Sequence, residues 1–129
     1  MELIDNHMCF ACGRKNPIGL RLGFAPDGEE YTSELEVKEN HQGWAGIIHG
    51  GILATALDEV MARLLADKGY HAITVQLEVR FIHPVKVGEK IRLRGRILED
   101  RKRLIRTEAQ AFLADGTLAA TGKAASLRV

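Results

Sequence analysis

Apolar residues recur at intervals of three and four between residues 49 and 67, the spacing of one face of a helix. The members of this stripe are Ile52, Leu53, Ala56, Leu57, Val60, Met61, Leu64 and Leu65. Gly69 follows, and a glycine just after the last periodic residue is typical of the position that ends a helix. The spacing therefore predicts one long, largely buried helix over residues 49–67.

Elsewhere the apolar residues alternate with polar ones, which is typical of β-strands. Before the helix, residues 19–26 and 30–37 predict two strands joined by a turn at Pro26-Asp27-Gly28. After it, four strands are predicted over residues 71–85, 90–98, 103–114 and 117–129, with Asp115-Gly116 as a hairpin signal. The order β-β-α-β-β-β-β predicts an α+β domain whose antiparallel sheet curls around the single long helix.

Composition limits the class of protein. A chain of 129 residues, of which 46% are hydrophobic and 27% charged, fits a single domain over residues 1–129. The net charge of +1 gives no reason to expect nucleic-acid binding, and no apolar run is long enough to span a bilayer. The N-terminus "MELIDNHM" has acids where a signal peptide needs basic residues, so we expect a cytoplasmic protein that does not associate with membranes.

Cys9 and Cys12, in the N-terminal segment 1–18, form a Cys-x-x-Cys pair that is compatible with a metal or redox site. Zinc normally takes four ligands, and the sequence offers His7 as a third ligand but no obvious fourth. A thioredoxin-type motif would lie between a strand and a helix, which is not the context here. We therefore predict a compact turn in which the cysteines are small buried side chains, with no metal and no cofactor.

The predicted helix begins at His49-Gly50-Gly51. Residues 46–48 cannot cap its first amides, and histidine is not a favoured cap. The two glycines leave the backbone unshielded, and free amides at the positive end of a helix suit an oxygen that develops negative charge. The alternative is that the glycines only allow the helix to pack closely on the sheet.

Two adjacent acids, Asp58 and Glu59, interrupt the helical stripe. Glu59 has Arg63 four residues later, which predicts an ordinary surface ion pair. The residues three and four positions away from Asp58 along the helix are small or apolar, a threonine and a methionine among them, and none of them is a cation. Asp58 is therefore either a functional carboxylate or a solvated acid at the edge of the stripe.

Spacing along the helix restricts how Gly50 and Asp58 could act together. They are eight residues apart, or about 12 Å along a helix axis, too far to touch one carbonyl group. Two antiparallel helices related by a two-fold axis would bring the start of one beside the middle of the other. A shared site therefore predicts a dimer with two sites at its interface.

Several segments resemble a known family. "HGGILATALDE" (49–59) resembles the signature of hotdog-fold acyl-CoA thioesterases, in particular the phenylacetate-pathway branch, with an acid nine residues after the histidine. "CFACGRKNPIGL" (9–20), "HQGWAGIIHGG" (41–51) and "FIHPVKVGE" (81–89) are similar to flanking segments of small bacterial members. The resemblance covers nearly the whole chain and implies a hotdog fold, with a curved antiparallel sheet wrapped around a long central helix.

The resemblance also implies an activity and a set of site residues. It implies hydrolysis of an acyl-CoA thioester to free acid and CoA, by a homodimer or a dimer of dimers. The Gly50 amide would polarise the carbonyl, and Asp58 of the partner subunit would act as base or nucleophile. His49 and Gly51 would lie near the thioester, and Gln42 would stand in for a water-positioning amide that relatives carry one residue later, where this chain has Gly43. The alternative is a non-catalytic domain of the same fold that binds or senses acyl-CoA.

Overall fold

Six strands form one antiparallel sheet in the order β1-β2-β4-β5-β6-β3 in the computed structural model, which describes all 129 residues. The strands are β1 (Phe24–Asp27), β2 (Glu30–Glu36), β3 (Ala72–Phe81), β4 (Lys90–Arg101), β5 (Leu104–Phe112) and β6 (Leu118–Arg128). A 3₁₀ helix (Glu39–His41) and one long helix, α1 (Gly50–Asp67), lie between β2 and β3. This confirms the predicted fold class and the order β-β-α-β-β-β-β.

The sheet curves around α1, which contacts five of the six strands. Its buried residues are Leu53, Ala56, Leu57, Val60, Met61, Leu64 and Leu65, as the periodicity predicted. Two strand glycines let the helix approach: a Cβ added at Gly95 would lie 3.3 Å from Val60 Cγ1, and one at Gly122 would lie 3.4 Å from Leu57 Cβ. Gly69, with a φ of +90°, follows the helix as expected. No helix of the structure has the length and apolar character needed to cross a membrane.

The first predicted strand and its turn were partly wrong. β1 begins only at Phe24, because the amides of Leu20 and Leu22 donate to carbonyls of the N-terminal segment instead of to a strand. The turn lies one residue later than predicted, at Gly28-Glu29, and Pro26 is inside β1. A proline is tolerated there because β1 is an edge strand.

β3 forms the opposite edge of the sheet and leaves apolar side chains exposed. The exposed members are Ile73 at 36%, Val75 at 54%, Leu77 at 39% and Phe81 at 56%. Its pairing with β6 shifts register between Thr74 and Gln76, so Val75 is the extra residue of a β-bulge. An unpaired edge beside an apolar surface is unusual for a free-standing chain.

The N-terminal segment forms the predicted compact turn. The Gly13 amide donates to the Cys9 carbonyl at 2.8 Å, and the Leu20 amide donates to the Phe10 carbonyl at 2.8 Å. A Cβ at Gly13 would lie 2.4 Å from the Cys9 nitrogen, so only glycine fits this position. The segment is therefore folded onto the body of the domain by hydrogen bonds of its own backbone.

Candidate active site

The first turn of α1 has one free amide. His49 is the N-cap residue, and its Nδ1 accepts a hydrogen bond from the Gly51 amide at 2.8 Å. The His49 carbonyl accepts from the Ile52 and Leu53 amides. His49, although not a favoured cap, therefore covers the Gly51 amide, whereas the Gly50 N–H has no hydrogen-bond partner within the chain. It stands alone at the positive end of an 18-residue helix.

Both glycines are also needed for close contacts. A Cβ at Gly51 would lie 3.0 Å from Nδ1 of His49, and one at Gly50 would lie 3.2 Å from Cζ of Phe81. A Cβ at Gly43 would meet the Cα of His49 at 3.2 Å. Gly50 thus packs closely against the Phe81 ring, and Gly51 against the His49 ring. The first turn of α1 therefore combines a free amide with closely packed side chains.

The His49 ring is held in a defined tautomer. Because Nδ1 accepts from the Gly51 amide, the neutral ring carries its proton on Nε2. The ring is exposed, so Nε2–H remains available as a donor beside Gly50.

A cavity of about 320 Å³ opens directly beside Gly50. Six of its nine lining residues are hydrophobic; the nine are Ile47, Ile48, Gly50, Leu53, Phe81, Ile82, His83, Pro84 and Val85. A second cavity of about 450 Å³ lies on the other side of the same turn, lined by Gly43, Trp44, Ile48, His49 and Gly50. The free amide of Gly50 therefore lies where an apolar cavity and a more polar one meet.

Asp58 is half-buried in the middle of α1, and its only side-chain partner is Thr74 of β3. Thr74 Oγ1 donates to Asp58 Oδ1 at 2.9 Å. Burial raises the pKa of the Asp58 carboxyl above its ordinary value, and the hydrogen bond from Thr74 opposes part of that rise. Sequence reasoning missed Thr74, because nothing in the pattern of a strand marks which threonine will face a helix.

The Gln42 side chain forms hydrogen bonds within its own loop in this structure. Its Nε2 donates to the Glu39 carbonyl at 2.8 Å, and its Oε1 accepts from the Gly46 amide. The neighbouring His41 is buried, and its carbonyl accepts from the His49 amide at 2.8 Å. These bonds fix the loop that leads into the first turn of α1, and they leave one Nε2–H and one lone pair of Oε1 for contact with a water or substrate.

Glu59 does not form the predicted surface pair. Its carboxylate accepts from Cys12 Sγ at 3.2 Å and from Cys9 Sγ at 3.7 Å. Arg63 instead pairs with Asp67 at 3.2 Å and with Asp5 at 3.7 Å. The prediction failed because it considered only neighbours along the helix, whereas the N-terminal turn brings two thiols onto this face.

The two cysteines are half-buried. Cys9 packs against the hydrophobic core as the sequence predicted, but both thiols also donate to the Glu59 carboxylate, which the sequence did not predict. Burial and the adjacent Glu59 carboxylate raise the pKa of the Cys12 thiol far above its ordinary value. Cys9, Cys12 and Glu59, hereafter the cysteine–glutamate cluster, place three potential metal-ligand atoms within 4.8 Å of one another.

Gly50 and Asp58 do not meet within one chain. Both lie on the single helix α1, eight residues apart and hence about 12 Å along its axis. The structure thus brings together Gly50, Gly51 and His49 at one end, and Asp58 with Thr74 further along.

The sequence of this chain is similar to those of known proteins. The family model of the thioesterase superfamily matches residues 45–120, which include both α1 and its first-turn glycines. Human acyl-coenzyme A thioesterase 13 is 34% identical over 92 residues, which are 70% of this chain and 62% of that protein. The chain thus spans somewhat less than two thirds of the length of this curated relative.

Solved structures show the same fold. The PaaI protein of the E. coli phenylacetic acid degradation operon superposes with a TM-score of 0.80 at 16% identity, covering 85% of this chain and 80% of that one. The protein smu.793 from Streptococcus mutans UA159, solved bound to acetyl CoA, superposes with a TM-score of 0.79 at 16% identity, covering 84% and 88%. These likenesses confirm the hotdog architecture that the sequence predicted.

Proposed function

Because the chain belongs to the thioesterase superfamily, we propose that it hydrolyses an acyl-CoA thioester to a free acid and CoA. The observation that carries the proposal is the free amide of Gly50, at the positive end of α1 and in a residue that lines an apolar cavity. Human acyl-coenzyme A thioesterase 13, a relative at 34% identity, supports the substrate class.

In this proposal the Gly50 amide stabilises the oxygen of the reacting carbonyl. Attack on the thioester carbon turns this oxygen into an alkoxide, and a preorganised N–H aimed at it acts most strongly where charge develops. Since the Gly50 N–H has no partner to give up, it does not have to break a hydrogen bond first. The His49 ring, with its proton on Nε2, lines the second cavity together with Gly50 and is a further donor there.

Asp58 of the partner subunit supplies the second group. As a base, its carboxylate takes a proton from water, whose oxygen attacks the carbonyl carbon; the tetrahedral intermediate then expels the CoA thiolate, which takes up a proton. As a nucleophile, the carboxylate attacks the carbon itself, expels the thiolate and leaves an anhydride that water hydrolyses. Burial raises the pKa of Asp58 and so makes its carboxylate more basic, which serves both routes.

The remaining site residues have positioning roles in this proposal. Gly51 orients His49 by donating to its Nδ1, and it leaves room for that ring. Gln42 holds the loop that precedes α1, and its second Nε2–H remains available to the thioester or its water. The apolar cavity beside Gly50, at about 320 Å³, takes the acyl group.

The two-chain site requires a homodimer, alone or as half of a dimer of dimers. The exposed apolar residues of edge strand β3 support this assembly, because a second β3 related by a two-fold axis would pair the edge and cover that surface. The cytoplasmic location expected from the sequence stays a prediction.

A panel of acyl-CoA esters tests the proposal. Purified protein is mixed with aliphatic and aromatic acyl-CoAs of graded length, and release of free CoA is followed with a thiol reagent. We expect turnover of at least one class, together with dimers or tetramers by light scattering. A monomer with full activity at assay concentration would overturn the two-chain site.

A non-catalytic acyl-CoA-binding domain is the second candidate, and the apolar cavity alone would serve it equally well. Such a domain has no use for a half-buried, desolvated carboxylate, so Asp58 favours catalysis. Saturable acyl-CoA binding by calorimetry without any CoA release across the panel would favour the binding domain instead.

A further inference from the structure

The proposed reaction leaves the cysteine–glutamate cluster unused. Cys9 and Cys12 come from the N-terminal turn, and Glu59 comes from α1, beside the proposed catalytic Asp58. Cys12 and Glu59 are half-buried, and one ligand atom of each of the three residues lies within 4.8 Å of the others. Two thiols and a carboxylate in such a group are ligands of a kind that zinc accepts.

The distances fit a metal site. Zinc bonds of about 2.3 Å to sulfur and about 2.0 Å to oxygen, at a tetrahedral angle, place the two ligand atoms about 3.5 Å apart. The observed separations are 3.2 Å between Cys12 Sγ and Glu59 Oε1, and 3.7 Å between Cys9 Sγ and Glu59 Oε2. Each sulfur is thus close to ligand spacing from one carboxylate oxygen of Glu59, and one ligand atom of each residue lies within 4.8 Å of the other two.

The backbone holds the two thiols in place. The Gly13 amide bonds the Cys9 carbonyl, and the turn is so tight that a Cβ at Gly13 would lie 2.4 Å from the Cys9 nitrogen. The Lys15 amide bonds the His7 carbonyl at 2.9 Å and closes the segment around both cysteines. A turn built this way presents the sulfurs without a large rearrangement.

We propose that Cys9, Cys12 and Glu59 bind one zinc ion that joins the N-terminal segment to α1. As thiolates with the carboxylate they carry a formal charge of −3, which zinc reduces to −1, and Arg63 lines the same cavity. The prediction of no metal rested on ligand counting along the sequence, and that count missed Glu59 because it lies 47 residues beyond Cys12.

The fourth position of the ion faces a cavity. The cluster lines a space of about 600 Å³ that Asp5, Arg63 and His71 also line. No further Cys, His, Asp or Glu atom belongs to the 4.8 Å group, so water or a small solute completes the coordination. The main consequence of binding is mechanical: the ion attaches residues 1–18 to the helix that carries Asp58.

Metal analysis of the full-length protein tests this proposal. Protein purified under reducing conditions is incubated with Zn²⁺, desalted and measured by mass spectrometry of the elements. We expect about one zinc per chain. Replacing zinc with Co²⁺ is expected to give a thiolate-to-cobalt charge-transfer band and strong visible bands of tetrahedral cobalt. Thermal unfolding should shift to higher temperature with zinc and back with a chelator.

Variants identify the ligands. Glu59→Gln keeps the side-chain size but loses the anionic oxygen, and we expect zinc affinity to fall about 100-fold or more, since even outer contacts contribute about 10–100-fold. Cys12→Ser should abolish the charge-transfer band. Glu34→Gln, an exposed acid on β2, is the matched control and should keep full zinc content.

Three results would overturn the proposal. The first is the absence of bound zinc and of a cobalt spectrum in the reduced wild-type protein, a measurement that needs no variant to fold. The second is zinc that Glu59→Gln retains with unchanged affinity. The third is an intact mass two hydrogens below the reduced chain that persists under the reducing purification, which would make Cys9 and Cys12 a stable disulfide pair.

Discussion

Asp58 is a carboxylate that the surrounding residues make costly to ionise. It lies against the apolar stripe of α1, burial raises its pKa, and Thr74 alone donates a hydrogen bond to it. A raised pKa at neutral pH means that the charged form is destabilised relative to water. An acid kept in this setting has more to contribute to a reaction than to the stability of the fold.

The first prediction concerns Asp58→Asn. Asparagine keeps the shape and can still accept from Thr74, but it removes the charge and the basicity. We expect kcat to fall by about two orders of magnitude or more, as for the loss of a positioned base. KM should change far less because the acyl and CoA contacts remain. Steady-state kinetics on the best substrate of the panel measures both.

Asp67→Asn, an exposed acid at the end of the same helix, is the matched control. It loses a surface pair with Arg63, and asparagine can still accept the hydrogen bond from Tyr31. If Asp58→Asn were as active as this control, α1 would carry no catalytic acid at residue 58.

Asp58→Asn should also change how the stability of the protein depends on pH. The pKa of Asp58 is higher in the folded chain than the ordinary value of 3.8. The folded state therefore binds the proton more tightly, and wild-type stability falls as the pH rises from 3.8 through the folded pKa. Asp58→Asn should thus melt at or above the wild-type temperature at pH 7, with the advantage vanishing near pH 3.5. The opposite result would be a wild-type protein that is more stable than Asp58→Asn at pH 7 and loses this extra stability in acid. It would show that Asp58 has a stabilising partner instead.

Thr74 is a positioning residue, and its variants separate orientation from simple packing. Its hydrogen bond favours the ionised carboxylate, so Thr74→Val should raise the pKa of Asp58 further. We expect the acid limb of the kcat profile to move to higher pH, and kcat at pH 7 to fall about tenfold because the carboxylate is no longer held in one orientation. Thr74→Ser should restore both. A uniform loss of activity at every pH, not restored by serine, would point to packing alone.

At the scale of the element, the first turn of α1 is the feature that the proposed chemistry uses. His49 caps the Gly51 amide, and the carbonyl of His49 accepts the next two amides, so Gly50 alone is left as a donor. The partial positive charge of the helix N-terminus is therefore presented at one free N–H, that of Gly50. The absence of side chains at Gly50 and Gly51 keeps this N–H accessible, and it also lets His49 and Phe81 pack against the two glycines.

Gly50→Pro tests that amide directly. Proline removes the N–H, is well tolerated at the first position of a helix, and leaves all other helical hydrogen bonds intact. Its Cβ would lie 3.2 Å from Cζ of Phe81, so a variant that adds the same Cβ but keeps the N–H is the control. His49 already has a φ of −66° and a ψ of 131°, the extended conformation that a residue before proline prefers. We expect kcat to fall about 100-fold or more, as for the loss of an oxyanion donor, with little change in helix content by circular dichroism.

Gly50→Ala is that control, because alanine keeps the N–H and places its Cβ at the same 3.2 Å from Cζ of Phe81. It should be less damaging than Gly50→Pro. Equal activity of Gly50→Pro and the wild-type protein would remove Gly50 from the proposed mechanism.

At the scale of the whole molecule, the separation of Gly50 and Asp58 has a consequence for assembly. Two groups about 12 Å apart on one rigid helix cannot act on one carbonyl, whereas groups on two antiparallel helices can. The apolar residues that β3 exposes, among them Val75 and Leu77, provide a surface on which a second chain can pack.

Mixed dimers test the shared site. Differently tagged Gly50→Pro and Asp58→Asn chains are coexpressed, and the mixed dimer is purified through both tags. One of its sites then combines an intact Gly50 with an intact Asp58, and the other has neither. We expect about half of the wild-type activity from two chains that are each inactive alone. No recovery in a verified mixed dimer would exclude a site built from both subunits.

Local pattern was enough to predict much of this protein. The stripe from Ile52 to Leu65 and the alternation in the strands predicted the helix, the element order and the hairpin at Asp115-Gly116, because burial of one face imposes a fixed period on the sequence. The His-Gly-Gly start of the helix and the unpaired Asp58 were also visible as candidates, since each conflicts with the local rules for a core helix.

Only the tertiary structure decided which side chains meet. Glu59 was predicted to pair with Arg63 one turn away, but the N-terminal turn brings Cys9 and Cys12 to it across about 50 residues of chain. Thr74 reaches Asp58 from another element. Residues 20–22 bond to the N-terminal segment and so do not extend β1. Periodicity reports which face of an element is buried, but a contact between distant segments depends on how the whole chain folds back on itself, and no local pattern encodes that.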